Sequence, residues 1–185
     1  MDAGGVLDVL YGAADAVARA LEQLQDWGPA GTRAGQYRSD LVADEAAIAI
    51  LDGAGMGVLS EESGVQRDDR ELLVVLDPLD GSTNASRRIP WYATSLCALD
   101  SDGPWVAVVV NQANHTRFDA VRGGGARRNG IPISPSSADR LSDSIIGLSG
   151  YPDQHMGWRQ YRALGAAALD LCAVAEGVLD GFVDC

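Results

Sequence analysis

At Gly57 the hydrophobic pattern of the chain changes period, and that change restricts the fold more than any other feature. Before it, Val6, Leu10, Ala13, Ala14, Val17, Leu21 and Leu24 recur at intervals of three and four, which gathers apolar side chains into one helical stripe. The stripe predicts a helix over about residues 5 to 26, ended by Gly28-Pro29. Gly31 to Tyr37 reads as a loop, and helical spacing resumes from Leu41 to Leu51, closing at Gly53. After it the pattern is that of strands: Gly57-Val58-Leu59-Ser60, a continuous apolar run from Leu72 to Leu76, and an alternating run from Tyr92 to Leu99. Asp100-Ser101-Asp102-Gly103-Pro104 turns the chain into Trp105 to Val110, the expected hairpin partner, and Thr116 to Val121 continues the sheet. Asn129-Gly130 is the strongest local hairpin signal. Ser144 to Leu148 reads as a further strand, Leu164, Ala168, Leu171 and Ala175 as a helix stripe ending near Gly177, and Val178 to Val183 as a last strand. Two helices, then mostly antiparallel strands, then another helix predict a layered α+β fold in a single domain spanning residues 1 to 185, with no internal repeat.

Charge narrows the function. With 14 Lys and Arg against 26 Asp and Glu, the net charge is −12, and only Arg127-Arg128 suggests a basic patch. Phosphate backbones need clustered cations, so a nucleic-acid partner is not expected. No apolar run approaches the ~20 residues that span a bilayer, and the amino end lacks the pattern of a signal peptide, so no membrane partner and a cytoplasmic location are expected. Cys97, Cys172 and Cys185 are odd in number and far apart, which fits neither a disulfide framework nor a zinc site; Cys97 and Cys172 read as small buried apolar groups.

The chemistry concentrates in Leu73 to Asn84, LVVLDPLDGSTN, where an apolar strand runs into Asp77 and Asp80 with Pro78 between them. Proline holds its own φ near −65° and biases Asp77 toward extended geometry, so Asp77 is expected to be the last residue of the strand. A turn there can aim both carboxylates and the Leu79 carbonyl at one point, half an octahedral shell for a hard divalent cation. A bare DPxDG is also ordinary turn vocabulary, with Asp77 capping and Asp80 exposed. Ser60-Glu61-Glu62-Ser63 adds paired acids at the end of another strand, and like charges brought that close demand a cation. Asp40 and Asp44 open the second helix, where acids are favoured by the helix dipole. Gly81-Ser82-Thr83-Asn84 can start a helix whose free amides would seat a phosphate.

Asp77-Pro78-Leu79-Asp80-Gly81-Ser82-Thr83-Asn84 resembles the DPxDG(S/T)(S/T)N signature of the inositol monophosphatase family of magnesium-dependent phosphomonoesterases. Ser60-Glu61-Glu62-Ser63 is similar to the family's GEES element, and Asp40-Leu41-Val42-Ala43-Asp44 to a shortened D-x-V-T-x-x-D. Arg127 to Ile133 resembles the NGxPI hairpin, and Arg162 to Ala168 the R-x-x-G-(S/T)-A-A stretch. The resemblance implies an αβαβα sandwich in which water activated by Mg2+ attacks phosphorus in line. It implies that Glu61, Asp77 and the Leu79 carbonyl hold the activating metal and that Asp77 and Asp80 share a second. Ser82 with Glu61 would orient the water, and the Gly81 and Ser82 amides would take phosphate. Asp44 would sit near an outer metal, while Gly165, Ala166 and Asp184 would contact the alcohol part of the substrate. The expected partners are a small phosphorylated metabolite (a sugar, polyol or inositol phosphate) and a second copy of the chain in a homodimer.

The family's later W-D-x-(A/G) element, which brings another metal-bridging aspartate, has no counterpart before Cys185. The resemblance therefore predicts a sandwich without its C-terminal portion, weak binding of the second cation and open apolar surface. The competing expectation is a family member that keeps the fold with a catalytically impaired, partial metal site. Other enzyme classes have less support: Gly147-Leu148-Ser149-Gly150 is not a GxSxG elbow, His115 and His155 lie in polar loops, and Gly123-Gly124-Gly125 lacks the surroundings of a phosphate loop.

Overall fold

The computed structural model describes residues 1–185. Helix α1 (Ala3–Gln23) starts at Asp2, whose carboxylate accepts the Gly5 amide at 2.8 Å, and buries Val6, Leu10, Ala13, Ala14, Val17 and Leu21. Helix α2 (Arg38–Gly53) is capped by Asp40, which accepts the Tyr37 amide at 2.8 Å. The strands β1 (Gly57–Ser60), β2 (Gly64–Gln66) and β3 (Leu73–Asp80) lead into a single-turn helix α3 (Ser82–Ser86). Then come β4 (Ala93–Asp100), β5 (Gly103–Asn111), β6 (Arg117–Val121), β7 (Gly125–Arg128) and β8 (Ile131–Pro132). Strands β9 (Ile145–Ser149) and β10 (Gln160–Arg162), helix α4 (Ala167–Ala175) and strand β11 (Gly181–Asp184) complete the chain. No helix is long and apolar enough to cross a membrane.

The first eight strands form one sheet in the order β2-β1-β3-β4-β5-β6-β7-β8, antiparallel except where β1 runs parallel to β3. Alternation along β5 shows what covers each face. Val106, Val108 and Val110 join the core built with α1 and α2, whereas Val109 packs with Ala166, Leu169 and Phe118 under α4. The smaller sheet, β10-β9-β11, lies beyond α4: an added Cβ at Gly147 of β9 would stand 3.7 Å from the Asp170 Cβ of α4. The layers are thus helices, sheet, helix and sheet, a mixed α+β sandwich in the order that the motifs imply.

One expectation is corrected. The strand expected to stop at Asp77 continues to Asp80, with an irregular register between Asp77 and Asp80. Proline has no N–H to give the ladder, and the bulge absorbs this while Thr94 Oγ1 donates to the Pro78 carbonyl at 2.9 Å. The small sheet is wholly parallel, since β9 pairs with both neighbours in that sense. Its strands are separated by long connections, and a strand pattern alone does not name its partner.

One face of the large sheet is open at its β1–β3 end, where Leu59 and Val75 are each 38% exposed and Val65 is 58% exposed. They are register neighbours, Val65 beside Leu59 and Leu59 beside Val75. The opposite face is packed, so Leu96→Ala, at a site 1% exposed, is expected to cost about 2–5 kcal/mol through lost burial and a cavity. Leu59→Ala should cost well under half of that. Denaturant melts of the two variants check the difference.

Candidate active site

The exits of β1 and β3 lie side by side because Ser60 pairs with Leu76. Glu61 and Glu62 follow the first strand and Asp77 and Asp80 end the second, so sheet pairing alone brings these acids together. With Asp40 of α2 they line a cavity of about 250 Å³ that also takes in Leu79, Gly81, Ser82, Arg33 and Gln36. Arg33 is the one cationic residue in that lining, and it pairs with Glu62 at 2.9 Å. Gln36 also donates to Glu62.

No basic side chain is ion-paired to the acids at the centre. Burial, then the charges of Glu61 and Asp80, hold the Asp77 carboxyl well above the usual carboxylate range. Burial likewise raises Asp80, against the pull of the Ala168 and Ala167 amides; Ala168 donates to Asp80 Oδ2 at 2.6 Å. Asp40 is 3% exposed and is pushed up to about 6, chiefly by burial and further by the charge of Glu62. Its Oδ1 has no hydrogen-bond partner. An unpaired buried carboxylate oxygen beside several like charges is unfavourable unless a cation compensates it. This donor set of hard oxygens, with the Leu79 carbonyl in the same lining, suits a hard divalent cation. No three His, Cys, Asp or Glu side chains are drawn close enough to form a ready-made metal shell.

Among the residues singled out in the sequence, Glu61, Asp77, Leu79, Asp80, Gly81 and Ser82 converge on this cavity. Asp44 does not: it is buried one helical turn beyond Asp40 and accepts a hydrogen bond from Ser60 Oγ, which fixes α2 to β1. Gly165 packs against Asn84, Ala166 is 1% exposed in the core under α4, and Asp184 lies on β11; none of the three lines the cavity. The further acid in this lining is Asp40, which its place at the start of α2 does not distinguish from an ordinary helix-start acid. It does cap α2 through Oδ2, but its other oxygen is free. Its position just after a Gly- and Arg-containing loop was the available signal.

The model of the inositol monophosphatase family matches residues 6–185. The chain belongs to the inositol monophosphatase family. It is 37% identical over 166 residues to the fructose-1,6-bisphosphatase/inositol-1-monophosphatase of Archaeoglobus fulgidus, a match covering 88% of this chain and 64% of that protein. The chain thus spans less than two thirds of the length of that curated relative. Its fold superposes on the extragenic suppressor protein SuhB of Bartonella henselae with a TM-score of 0.82 at 30% identity, over 97% of this chain and 78% of that one. An inositol monophosphatase from Anabaena superposes with the same TM-score of 0.82 at 29% identity, over 98% and 75% of the two chains.

Proposed function

We propose that the chain carries the metal site of a Mg2+-dependent phosphomonoesterase acting on a small sugar, polyol or inositol phosphate. The observation that carries this reading is Asp77, half-buried and raised by the charges of Glu61 and Asp80, with no basic side chain ion-paired to any of the three. Glu61, Asp77, the Leu79 carbonyl and Asp80 would hold Mg2+. When bound, the ion supplies the positive charge that lowers the pKa of water and neutralises the phosphoryl oxygens. Ser82, at the start of α3, and Glu61 share the cavity and would orient the attacking water between them. The backbone N–H groups of Gly81 and Ser82 would donate to the phosphate oxygens. Asp40, which lines the same cavity and whose buried Oδ1 has no hydrogen-bond partner, would add a further acceptor for water or cation.

Phosphate release from inositol 1-phosphate and fructose 1,6-bisphosphate is expected to require millimolar Mg2+ and to stop on chelation with EDTA. Hydrolysis unaffected by EDTA, or no hydrolysis of any small monoester by the polypeptide in its full natural length, would refute the proposal. A second reading, a member with an impaired site, is favoured by the absence of a ready-made three-acid shell. Phosphate release measured beside a calorimetric Mg2+ titration separates the two, because the impaired member would bind Mg2+ without turnover.

A further inference from the structure

Trp91 joins parts of the chain that are distant in sequence. Its indole Nε1–H donates to Asp170 Oδ1 at 2.8 Å, and its carbonyl accepts from Asn84 Nδ2, also at 2.8 Å. The same Asn84 amide donates to the Leu164 carbonyl at 2.8 Å. Asn84 belongs to α3, the helix that begins at Ser82, and Asp170 belongs to the first turn of α4. Two residues before Asp170, the Ala168 N–H donates to Asp80 Oδ2 at 2.6 Å. The start of α4 is therefore tied to the acidic site at one point and to Trp91 at another.

The junction has no slack. A Cβ on Gly81 would meet the Ala166 Cβ and the Trp91 carbonyl at 3.0 Å, and one on Gly165 would meet Asn84 Nδ2 at 3.1 Å. Asp170 is 1% exposed, and no basic side chain pairs with it. A buried carboxylate is a costly way to pack a helix, since an apolar residue would fill the space without desolvating a charge. What the carboxylate adds is direction: it sets how α4 is seated against Trp91, and so where the Ala168 amide points.

We propose that Trp91 and Asp170 are positioning residues, a latch that seats the first turn of α4 so that the Ala168 N–H stays on Asp80. Its relevance to the chemistry rests on the reading of Asp80 as a cation ligand. By this latch Asp80 Oδ2 is held by the helix while the residue stays in the lining of the cavity. Asn84 braces the same junction from α3.

The test compares Trp91→Phe and Asp170→Ala, two independent ways of removing the latch, with Asp170→Asn, whose amide oxygen can still accept from the indole. Amide hydrogen exchange at Ala168, followed by NMR, reads the tie to Asp80 without any metal. Trp91→Phe and Asp170→Ala are expected to speed that exchange by about tenfold or more while protection in α1 and β5 is unchanged. The same two variants should weaken Mg2+ binding, measured by calorimetry, by about 10- to 100-fold, whereas Asp170→Asn stays within roughly threefold of the parent. Unchanged Ala168 exchange in whichever of the two removing variants folds would overturn the latch. So would an Asp170→Asn variant that loses as much as Asp170→Ala, because the charge and not the hydrogen bond would then be responsible. If the parent itself binds no Mg2+, the exchange result alone decides the latch, and the cation reading fails separately.

Discussion

Asp77→Asn is expected to lower Mg2+-dependent phosphate release by at least about 100-fold, beyond the roughly 10- to 100-fold that follows when a group that merely supports a metal ligand is lost. In the metal-free protein the same change should be stabilising. Asp77 is raised by burial and by Glu61 and Asp80, so the folded state binds its proton more tightly than the unfolded chain does. Such a group costs stability at pH above its raised value, and the cost disappears as pH falls toward the ordinary carboxylate value of about 4. Metal-free protein should therefore melt higher at pH 5 than at pH 8, with Asp40 contributing in the same sense. Asp100 and Asp180, whose carboxyls lie below the usual range, lose their contribution only at more acid pH and do not mask the effect. Asn at position 77 has no charge to desolvate. The variant should gain about 1 kcal/mol or more at pH 8, or roughly 2–4 °C in melting temperature, and show a shallower pH dependence. Scanning calorimetry at the two pH values with EDTA present checks it. A variant that melts below the parent at pH 8 would contradict this view of the site.

Gly81→Ala carries the second large effect, this time on stability. Gly81 has φ of 84° and sits where β3 becomes α3, with the Ala166 Cβ, the Trp91 carbonyl and the Gly165 carbonyl all within 3.0–3.1 Å of an added Cβ. The left-handed conformation costs a non-glycine residue about 1–2 kcal/mol, and overpacking adds about 1–3 kcal/mol because two of the three neighbours are backbone. The expected loss is about 2–5 kcal/mol, a fall of roughly 5–15 °C in melting temperature. Gly64→Ala is the control. Its φ is 74° but nothing lies within 4 Å of the added Cβ, so only the conformational part should remain. Equal losses at the two positions would show that the α3–α4 junction is looser than its contacts indicate.

The acids of the site were legible to different degrees, and the differences have physical causes. Glu61, Asp77 and Asp80 could be read because each follows directly on an apolar strand, and strand exits of one sheet lie near one another. Asp40 and Asp44 could not be ranked in that way. They are four apart on one helix face, and only the docking of α2 on β1, with Ser60 holding Asp44, decides that Asp40 is the one at the cavity. The roles implied for Gly165 and Ala166 met a similar limit, since both are taken up by the packing of α4 against α3. Trp91 gave no signal at all in the sequence, where it is one apolar residue among many; its importance comes from partners 7 and 79 positions away.

By itself the sequence determined the element types and most of their order, the switch from helix to strand at Gly57, and the acids at the ends of two strands. Those properties are local: side-chain period selects helix or strand, and proline and glycine restrict φ wherever they stand. Tertiary structure alone decided that β3 bulges past Pro78 instead of stopping, that β9 lies between two parallel neighbours, and that the amides of α4 meet Asp80. These depend on contacts between residues tens of positions apart, whose free energy comes from shared burial and cannot be assigned to any single segment of the chain.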